Sequence, residues 1–166
     1  MLWTKPPPNW FKCNVGFSWS KRNHFAGGGW VLRDEFGNVL LHSRRSFSGI
    51  HSKDDASLRC LLWALESMAS HRVDNVIFLV QDKALVGAVA RPMAWPSFKA
   101  QSLALISSLR PFLLWKMELE FESANRGANL IAQSVTADLR CQSYVAVGGP
   151  FWLSAVFVEE ARLHSV

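Results

Sequence analysis

The feature that most constrains the fold is a set of three strand-like segments, followed by helical and strand-like segments in alternation. Gly37 and Asn38 lie between two apolar stretches, which is typical of the turn of a β-hairpin. A continuous apolar run at 75–80 is typical of a strand that is buried on both faces. The predicted strands are 12–18, 27–34, 39–47, 75–80 and 115–121, and the predicted helices are 54–70, 83–90, 95–109 and 127–140.

This order of elements predicts an α/β fold with three layers. An opening antiparallel meander followed by alternating helices and strands indicates a mixed five-stranded sheet, antiparallel at first and parallel afterwards. We expect helices on the faces of the sheet, because the fourth strand is apolar throughout.

Composition and charge limit the classes of function. The chain has 166 residues, enough for one domain with a sizeable core, and a formal net charge of +5, which favours an acidic partner such as nucleic acid. Three widely spaced cysteines in apolar surroundings predict buried free thiols, and no spacing suggests a zinc site. Without a signal peptide or a membrane-length apolar run, the sequence predicts an intracellular protein, nuclear or cytoplasmic, that is neither secreted nor bound to a membrane.

Four short motifs in residues 10–143 resemble the ribonuclease H-like superfamily, in its plant retroelement-derived, type 1-like form. The first strand carries Lys-Cys-Asn-Val-Gly at 12–16, and the first helix carries Ala-Ser-Leu-Arg-Cys-Leu at 56–61. The fourth strand ends in Val-Gln-Asp at 80–82 with Leu-Val at 85–86, and Asn125 precedes Ala-Asn at 128–129. The resemblance implies the ribonuclease H fold, which agrees with the predicted order of elements.

The resemblance also implies where metal-binding acids are expected. In that family four carboxylates hold two divalent metals around the scissile phosphate of an RNA–DNA hybrid. The corresponding positions in this sequence are occupied by Gly16, Ser57, Gln81 and Asn129, none of which carries a charge. We therefore expect a pseudoenzyme that binds nucleic acid, RNA or an RNA–DNA hybrid, with no metal and no cofactor.

An alternative keeps the protein active. Asp82 and Asp54 are close in sequence to two of these positions and could substitute for the missing acids, which would make the protein an Mg²⁺-dependent RNA–DNA hybrid ribonuclease. Against this, a shift by one residue along a strand turns a side chain to the opposite face. Asp54 is also well placed to cap or flank the start of the first helix.

Cations and one tryptophan are the candidates for nucleic-acid contact. Phosphates are bound by Lys and Arg, and exposed aromatic rings stack on bases, whereas uncharged amides such as those of Gln81 and Asn129 can also hydrogen-bond a phosphate. Strand alternation places the two adjacent arginines of the third strand on opposite faces. The candidates are Lys12, Lys21, Arg22, Arg44, Arg45, Lys53, Arg59 and Trp19.

The two ends of the chain differ from its centre. Residues 1–9 form a proline-containing lead, 10–143 the ribonuclease H-like domain, and 144–166 an apolar extension that either packs on the domain or mediates association. An interaction or scaffold module, binding a protein partner or forming a homodimer through this extension, is therefore the second hypothesis. Phosphate-driven binding should weaken steeply with salt, whereas binding through an apolar interface should not.

Overall fold

The strands form one mixed sheet. A computed structural model of the protein describes residues 1–163, so residues 164–166 of the predicted extension lie outside the described range. The strands are β1 (Phe11–Ser20), β2 (Phe25–Arg33), β3 (Val39–Ser48), β4 (Val76–Val80), β5 (Trp115–Leu119) and β6 (Tyr144–Val147). Their order across the sheet is β5-β4-β1-β2-β3-β6. β1, β2, β3 and β6 pair antiparallel in turn, while β4 runs parallel to both β1 and β5.

The helices lie between and after the strands, as the sequence predicts. They are α1 (Lys53–Ser70), α2 (Lys83–Ala90), α3 (Lys99–Leu109), α4 (Arg126–Ala137) and α5 (Ser154–Arg162). α1 begins after Ser52, whose hydroxyl accepts a hydrogen bond from the Asp55 backbone N–H at 3.0 Å. The helix expected from residue 95 begins at Lys99, because 3₁₀ turns at Pro92–Ala94 and Pro96–Phe98 precede it.

The predicted fold class is confirmed, with one correction to the sheet. It has six strands instead of five, because residues 144–147 pair antiparallel with β3, from Leu41↔Val147 to Arg44↔Tyr144. This segment is the beginning of the predicted apolar extension. The boundary at residue 143 remains a prediction, although the structure places residues on both sides of it in one sheet.

The core has two parts, one on each face of the sheet. The larger part lies under α1 and contains Trp30, Leu61, Leu65 and Phe78, all of them almost fully buried. The smaller part lies under α4 and α5 and contains Val31, Ala128, Ile131, Leu153 and Phe157. Two of the cysteines follow the prediction, since Cys13 and Cys60 are buried thiols, whereas Cys141 is exposed. Among the described residues, no helix has the length and apolarity needed to cross a membrane.

Residues from both ends of the chain meet at Arg33, and we call this group the terminal clasp (Trp3, Arg33, Phe157 and Glu160). Arg33 is 2% exposed and forms an ion pair with Glu160, with 2.9 Å between Nη1 and Oε1. Its guanidinium also donates to the Phe157 carbonyl and lies 3.6 Å from the centre of the Trp3 ring. The lead and the last helix are thus held to the body of the domain by one buried cation.

A second contact joins β6 to the body of the sheet. His42 on β3 is 4% exposed, and its Nδ1 lies 2.5 Å from the Gly148 carbonyl oxygen, just after β6. Since a carbonyl can only accept, Nδ1 carries the proton and donates. Burial lowers the pKa of His42 from its ordinary value of 6.5, and Arg44 lowers it further, while the bond to Gly148 acts in the opposite direction.

This arrangement predicts that acid weakens the fold at β6. Because the pKa of His42 is lower in the folded protein, the unfolded chain takes up a proton first as the pH falls below about 6.5. The stability that neutral His42 provides is therefore fully present above that pH and is lost on acidification. We expect His42→Gln to reduce the fall in the free energy of unfolding between pH 7 and pH 5, measured by urea denaturation. His51→Gln, in an exposed loop, is the control for loss of an imidazole, and equal slopes for wild type and His42→Gln would contradict the prediction.

Candidate functional site

An open cleft of about 740 Å³ lies where β4 ends and where α1, α2 and α4 begin. Ser57 of α1, Gln81 after β4 and Asn129 in the first turn of α4 all line it. Three of the four positions singled out in the sequence are therefore brought together. The fourth, Gly16 on β1, is not among the residues that line the cleft.

Gly16 is covered by the backbone of α4. A Cβ atom at Gly16 would lie 2.6 Å from the carbonyl carbon and oxygen of Ala128 and 2.7 Å from the backbone nitrogen of Asn129. Gly29, which pairs with Gly16 between β1 and β2, is similarly close to α4. A Cβ atom at Gly29 would lie 2.8 Å from the Ala128 carbonyl oxygen. α4 can approach the sheet this closely only because both positions lack a side chain. No side chain at position 16 could reach the cleft while α4 stays in place.

Amide side chains form a hydrogen-bonded network at the floor of the cleft. Asn129 Nδ2 donates to Gln81 Oε1 at 2.6 Å, and Asn125 Nδ2 donates to the same oxygen at 3.1 Å. Asn125 is 1% exposed and also accepts from Asn14 Nδ2 at 2.9 Å. The oxygens of Gln81 and Asn129 are thus already used as acceptors inside the protein. The floor is polar but uncharged.

Asp82 and Asp54, the acids that could substitute for the missing ones, both lie at the start of a helix. Asp82 caps α2, because its Oδ1 accepts from the Leu85 backbone N–H at 3.1 Å, and it also lines the cleft. Asp54 is exposed in the first turn of α1, where a carboxylate favours the helix N-terminus, and it lies at the edge of the same cleft. Within residues 1–163, no group of three or more His, Cys, Asp or Glu side chains is arranged to hold a metal ion.

The predicted cations are distributed over several surfaces. The structure corrects the prediction that Lys12 is a candidate for nucleic-acid contact, because this side chain is buried. Lys12 is 7% exposed, and its ammonium donates to the Thr4 carbonyl at 2.7 Å and to the Thr4 hydroxyl at 2.9 Å. Burial lowers the pKa of Lys12, while Glu120 and Glu118 act to raise it. Lys12 therefore binds the N-terminal lead and is not available to a phosphate.

The two adjacent arginines of β3 lie on opposite faces of the sheet. Arg44 lies 4.7 Å from the centre of the Tyr144 ring on β6. Arg45 and Arg59 both lie over the ring of Phe47, 4.9 and 5.9 Å from its centre. We call Arg45, Arg59 and Phe47 the basic patch. Arg45 and Arg59 are exposed, whereas Arg44 is half-buried. Only one of the adjacent arginines therefore shares a surface with Arg59.

The basic patch adjoins the cleft across the sheet. Trp19 lines the cleft and pairs in register with Ala26, which in turn pairs with Phe47. Two strand spacings separate Trp19 from Phe47, about 10 Å. Lys53 lines the cleft itself, and Lys21 and Arg22 are exposed in the turn between β1 and β2. Trp19 and the basic patch thus lie on the same face of the sheet.

Sequence reasoning missed several residues of the site. Asn14, Asn125 and Trp3 were not identified, although they order the floor of the cleft. Lys83 and Gln133, which line the cleft, were also missed. Two amides in the motifs could have indicated these residues. They are Asn14, at the centre of the first motif, and Asn125, in the last motif. Their contact joins positions 111 residues apart and has no local signature.

Comparison with known proteins agrees with this architecture. Residues 13–138 match the reverse transcriptase-like family. The fold is similar to that of ribonuclease H1 from the archaeon Halobacterium salinarum, with a TM-score of 0.68 and 16% identity over 78% of this chain and 99% of that one. The N-terminal ribonuclease H domain of a Mycobacterium tuberculosis protein gives a TM-score of 0.65 and 16% identity, over 77% and 94% of the two chains.

A third structure was solved with a nucleic acid. LC11 ribonuclease H1, in complex with an RNA/DNA hybrid, has a TM-score of 0.66 and 16% identity, over 78% of this chain and 99% of that one. No curated protein sequence matches the chain. At these identities the structural similarity establishes the ribonuclease H fold.

Proposed function

The chain belongs to the reverse transcriptase-like family, and we propose that it is a ribonuclease H-like domain that binds nucleic acid without cleaving it. The observation that carries this proposal is the floor of the cleft. By the family resemblance, metal-binding acids are expected at positions 16, 57, 81 and 129. Position 16 is closed by α4, and the amides of Gln81 and Asn129 are hydrogen-bonded to each other.

The residues of the cleft do not fit a pair of Mg²⁺ ions. Mg²⁺ prefers carboxylate oxygens in near-octahedral geometry and gives up its water reluctantly. Ser57, Gln81 and Asn129 provide no negative charge, and the Gln81 carbonyl oxygen already accepts hydrogen bonds from Asn125 and Asn129. Asp82, the nearest acid in sequence, caps α2. These contacts support binding without metal-dependent hydrolysis.

The basic patch supports binding to a phosphate backbone. Arg45 and Arg59 are exposed side by side over Phe47, on the face of the sheet that also bears Trp19. Arginine side chains neutralise phosphates and release counterions, which makes the affinity depend on salt. An RNA–DNA hybrid is the first ligand to test, because the structurally similar LC11 ribonuclease H1 was solved in complex with one.

The test combines binding and cleavage in one sample. A labelled RNA–DNA hybrid is mixed with the protein at two salt concentrations, with Mg²⁺ or with EDTA, and fluorescence anisotropy and gel analysis are read together. We expect salt-dependent binding, equal in Mg²⁺ and EDTA, with an intact hybrid. Arg45→Glu with Arg59→Glu should lower the affinity and reduce the slope of log K against log salt by about 1 to 2.

The matched control for these charge reversals is the double variant Arg91→Glu with Arg110→Glu, which changes two exposed arginines at the ends of α2 and α3. It should retain wild-type affinity if the basic patch is the contact surface. Cleavage of the hybrid that disappears in Asp82→Asn would overturn the proposal and show that displaced acids hold the metals. Equal losses of affinity in all the arginine variants would show that the net charge, and not the patch, drives binding.

A second candidate function is supported by the exposed apolar residues of the extension. Phe151 is 90% exposed and Trp152 is 51% exposed, and both lie in a 3₁₀ turn just before α5. Exposed apolar groups of this size are typical of contacts with another protein, so an interaction module remains the alternative. If the hybrid does not bind, salt-independent self-association that is lost in Phe151→Ser with Trp152→Ser would support it.

A further inference from the structure

The orientation of the amides at the floor of the cleft is set by a group that can only donate. The Trp3 indole Nε1 donates to Asn14 Oδ1 at 3.1 Å, so the amide nitrogen of Asn14 faces the other way. That nitrogen donates to Asn125 Oδ1 at 2.9 Å and to the Glu120 carboxylate at 3.2 Å. The oxygen of Asn125 therefore faces Asn14, and its nitrogen faces the cleft.

A group that can only accept imposes the same orientation from the other side. Asn125 Nδ2 donates to the Val15 backbone carbonyl at 2.9 Å and to Gln81 Oε1 at 3.1 Å. Asn129 also donates to Gln81 Oε1. The side-chain oxygen of Gln81 therefore faces the interior and accepts both hydrogen bonds. Within residues 1–163, nothing accepts a hydrogen bond from its Nε2. The chain of contacts leaves Gln81 as a donor to the cleft.

Ser57 adds a second polar group to the same cleft. Its side chain is 6% exposed, and it lines the cleft beside Gln81. Among the described residues, the buried side-chain polar atoms without a partner are Trp30 Nε1 and Arg44 Nε, so the Ser57 hydroxyl is in contact with the solvent of the cleft. Ser57 and Gln81 together present hydrogen-bonding groups that a bound ligand would satisfy.

The charges in the cleft do not favour a phosphate there. Lys53 and Lys83 line the cleft, but so do Asp54, Asp82 and Glu122, which gives a formal charge of 2 − 3 = −1. A phosphate would meet more carboxylates than ammonium groups. An uncharged planar ligand with carbonyl oxygens meets the neutral donors without this cost.

Aromatic side chains point to the class of that ligand. Phe17 and Trp19 of β1 line the cleft next to the donors. Proteins that bind single strands combine cationic contacts to the backbone with aromatic side chains that contact unstacked bases. The basic patch, about 10 Å from Trp19, would hold the phosphates of the same strand.

We propose that the cleft binds one unstacked nucleobase of a single-stranded segment and recognises its carbonyl edge through the Gln81 Nε2 donor. The inference rests on the proposed function and names the class of nucleic acid, a single strand in preference to a hybrid. Uracil, thymine, cytosine and guanine carry a suitable carbonyl, and adenine does not. Trp3, Asn14 and Asn125 are positioning residues, which orient Gln81 without touching the base.

The test compares three labelled single strands of 12 nucleotides: oligo-uridine, oligo-adenosine and a strand of abasic sites. Anisotropy is measured in EDTA at one salt concentration, beside the RNA–DNA hybrid. We expect oligo-uridine to bind about 5-fold to 150-fold more tightly than the abasic strand, from contact with one base. It should bind about 2-fold to 10-fold more tightly than oligo-adenosine, from one hydrogen bond.

Two variants separate recognition from general effects. Gln81→Glu keeps the shape and the inward oxygen but replaces the donor by a carboxylate oxygen, so the preference for uridine over adenosine should disappear. Gln142→Glu makes the same change at an exposed position outside the cleft and should retain the preference. Trp3→Phe keeps a ring and removes the N–H, and should shift the Gln81 side-chain amide signals in ¹H–¹⁵N spectra.

Each outcome decides between the two proposals. Equal binding of oligo-uridine and the abasic strand, or an unchanged preference in Gln81→Glu, would overturn the base-binding inference. If the hybrid still bound in a salt-dependent way, the proposed function would stand without it. If no nucleic acid bound, both would fail.

Discussion

Gly16→Asp should strongly destabilise the domain instead of restoring a metal ligand. A Cβ atom at this position would lie 2.6 Å from backbone atoms of Ala128, and backbone cannot move aside as a flexible side chain does. α4 would have to shift away from β1 and β2, which breaks its packing over Gly29 as well. Overpacking of this kind costs about 3 kcal/mol or more. The free energy of unfolding in urea measures the effect.

The control for Gly16→Asp is Asn129→Asp. It introduces the same side chain at another of the four positions, but in the open cleft, where it removes the hydrogen bond to Gln81 without adding atoms that overlap the backbone. We expect its free energy of unfolding to stay within about 1 kcal/mol of wild type. If Gly16→Asp proved equally mild, α4 would not be held as closely to the sheet as described, and the argument against a metal site at this position would fail.

Glu160→Leu should be the most damaging change in the last helix. It leaves the Arg33 guanidinium buried without its carboxylate, although Arg33 still donates to the Gly37 and Phe157 carbonyls. Breaking a buried ion pair by removing one partner costs about 3 to 5 kcal/mol. We expect a loss of that size in the free energy of unfolding, together with exposure of Trp3, visible as a change in tryptophan fluorescence.

The double variant Arg33→Met with Glu160→Leu tests the cause of that loss. Burial raises the pKa of Glu160 and lowers the pKa of Arg33, so for both groups desolvation outweighs the attraction between them. Removing both charges should therefore recover much of the stability lost in Glu160→Leu. A double variant less stable than Glu160→Leu would show that the other contacts of Arg33, and not its charge, dominate.

Much of the fold could be predicted because its signals are local. The hairpin turn at Gly37, the apolar stripe of α1 and the buried run of β4 each depend on neighbouring residues. β6 was missed because it has only four residues, too few to show a clear pattern, and Gly148-Gly149-Pro150 follows it directly. Its partner, β3, lies about 100 positions earlier in the chain. The strand is thus defined by a distant partner and not by its own pattern.

The site was predictable in part for the same reason. The spacing of the motifs brought Ser57, Gln81 and Asn129 to one cleft, since these motifs lie at the ends of elements that meet there. Lys12 was assigned to phosphate because the sequence does not show that Thr4 of the lead accepts its ammonium. The orientation of Gln81 depends on Trp3, Asn14 and Asn125, three residues from separate parts of the chain.

The terminal clasp has a consequence for the order in which the protein can be made. Arg33 and Glu160 are 127 positions apart, so a ribosome must add all of the residues between them before the buried cation can meet its carboxylate. Until then the guanidinium has to stay in water, because burying it alone is costly. Chains that end before residue 160 should therefore remain open around Trp3 and be susceptible to proteases.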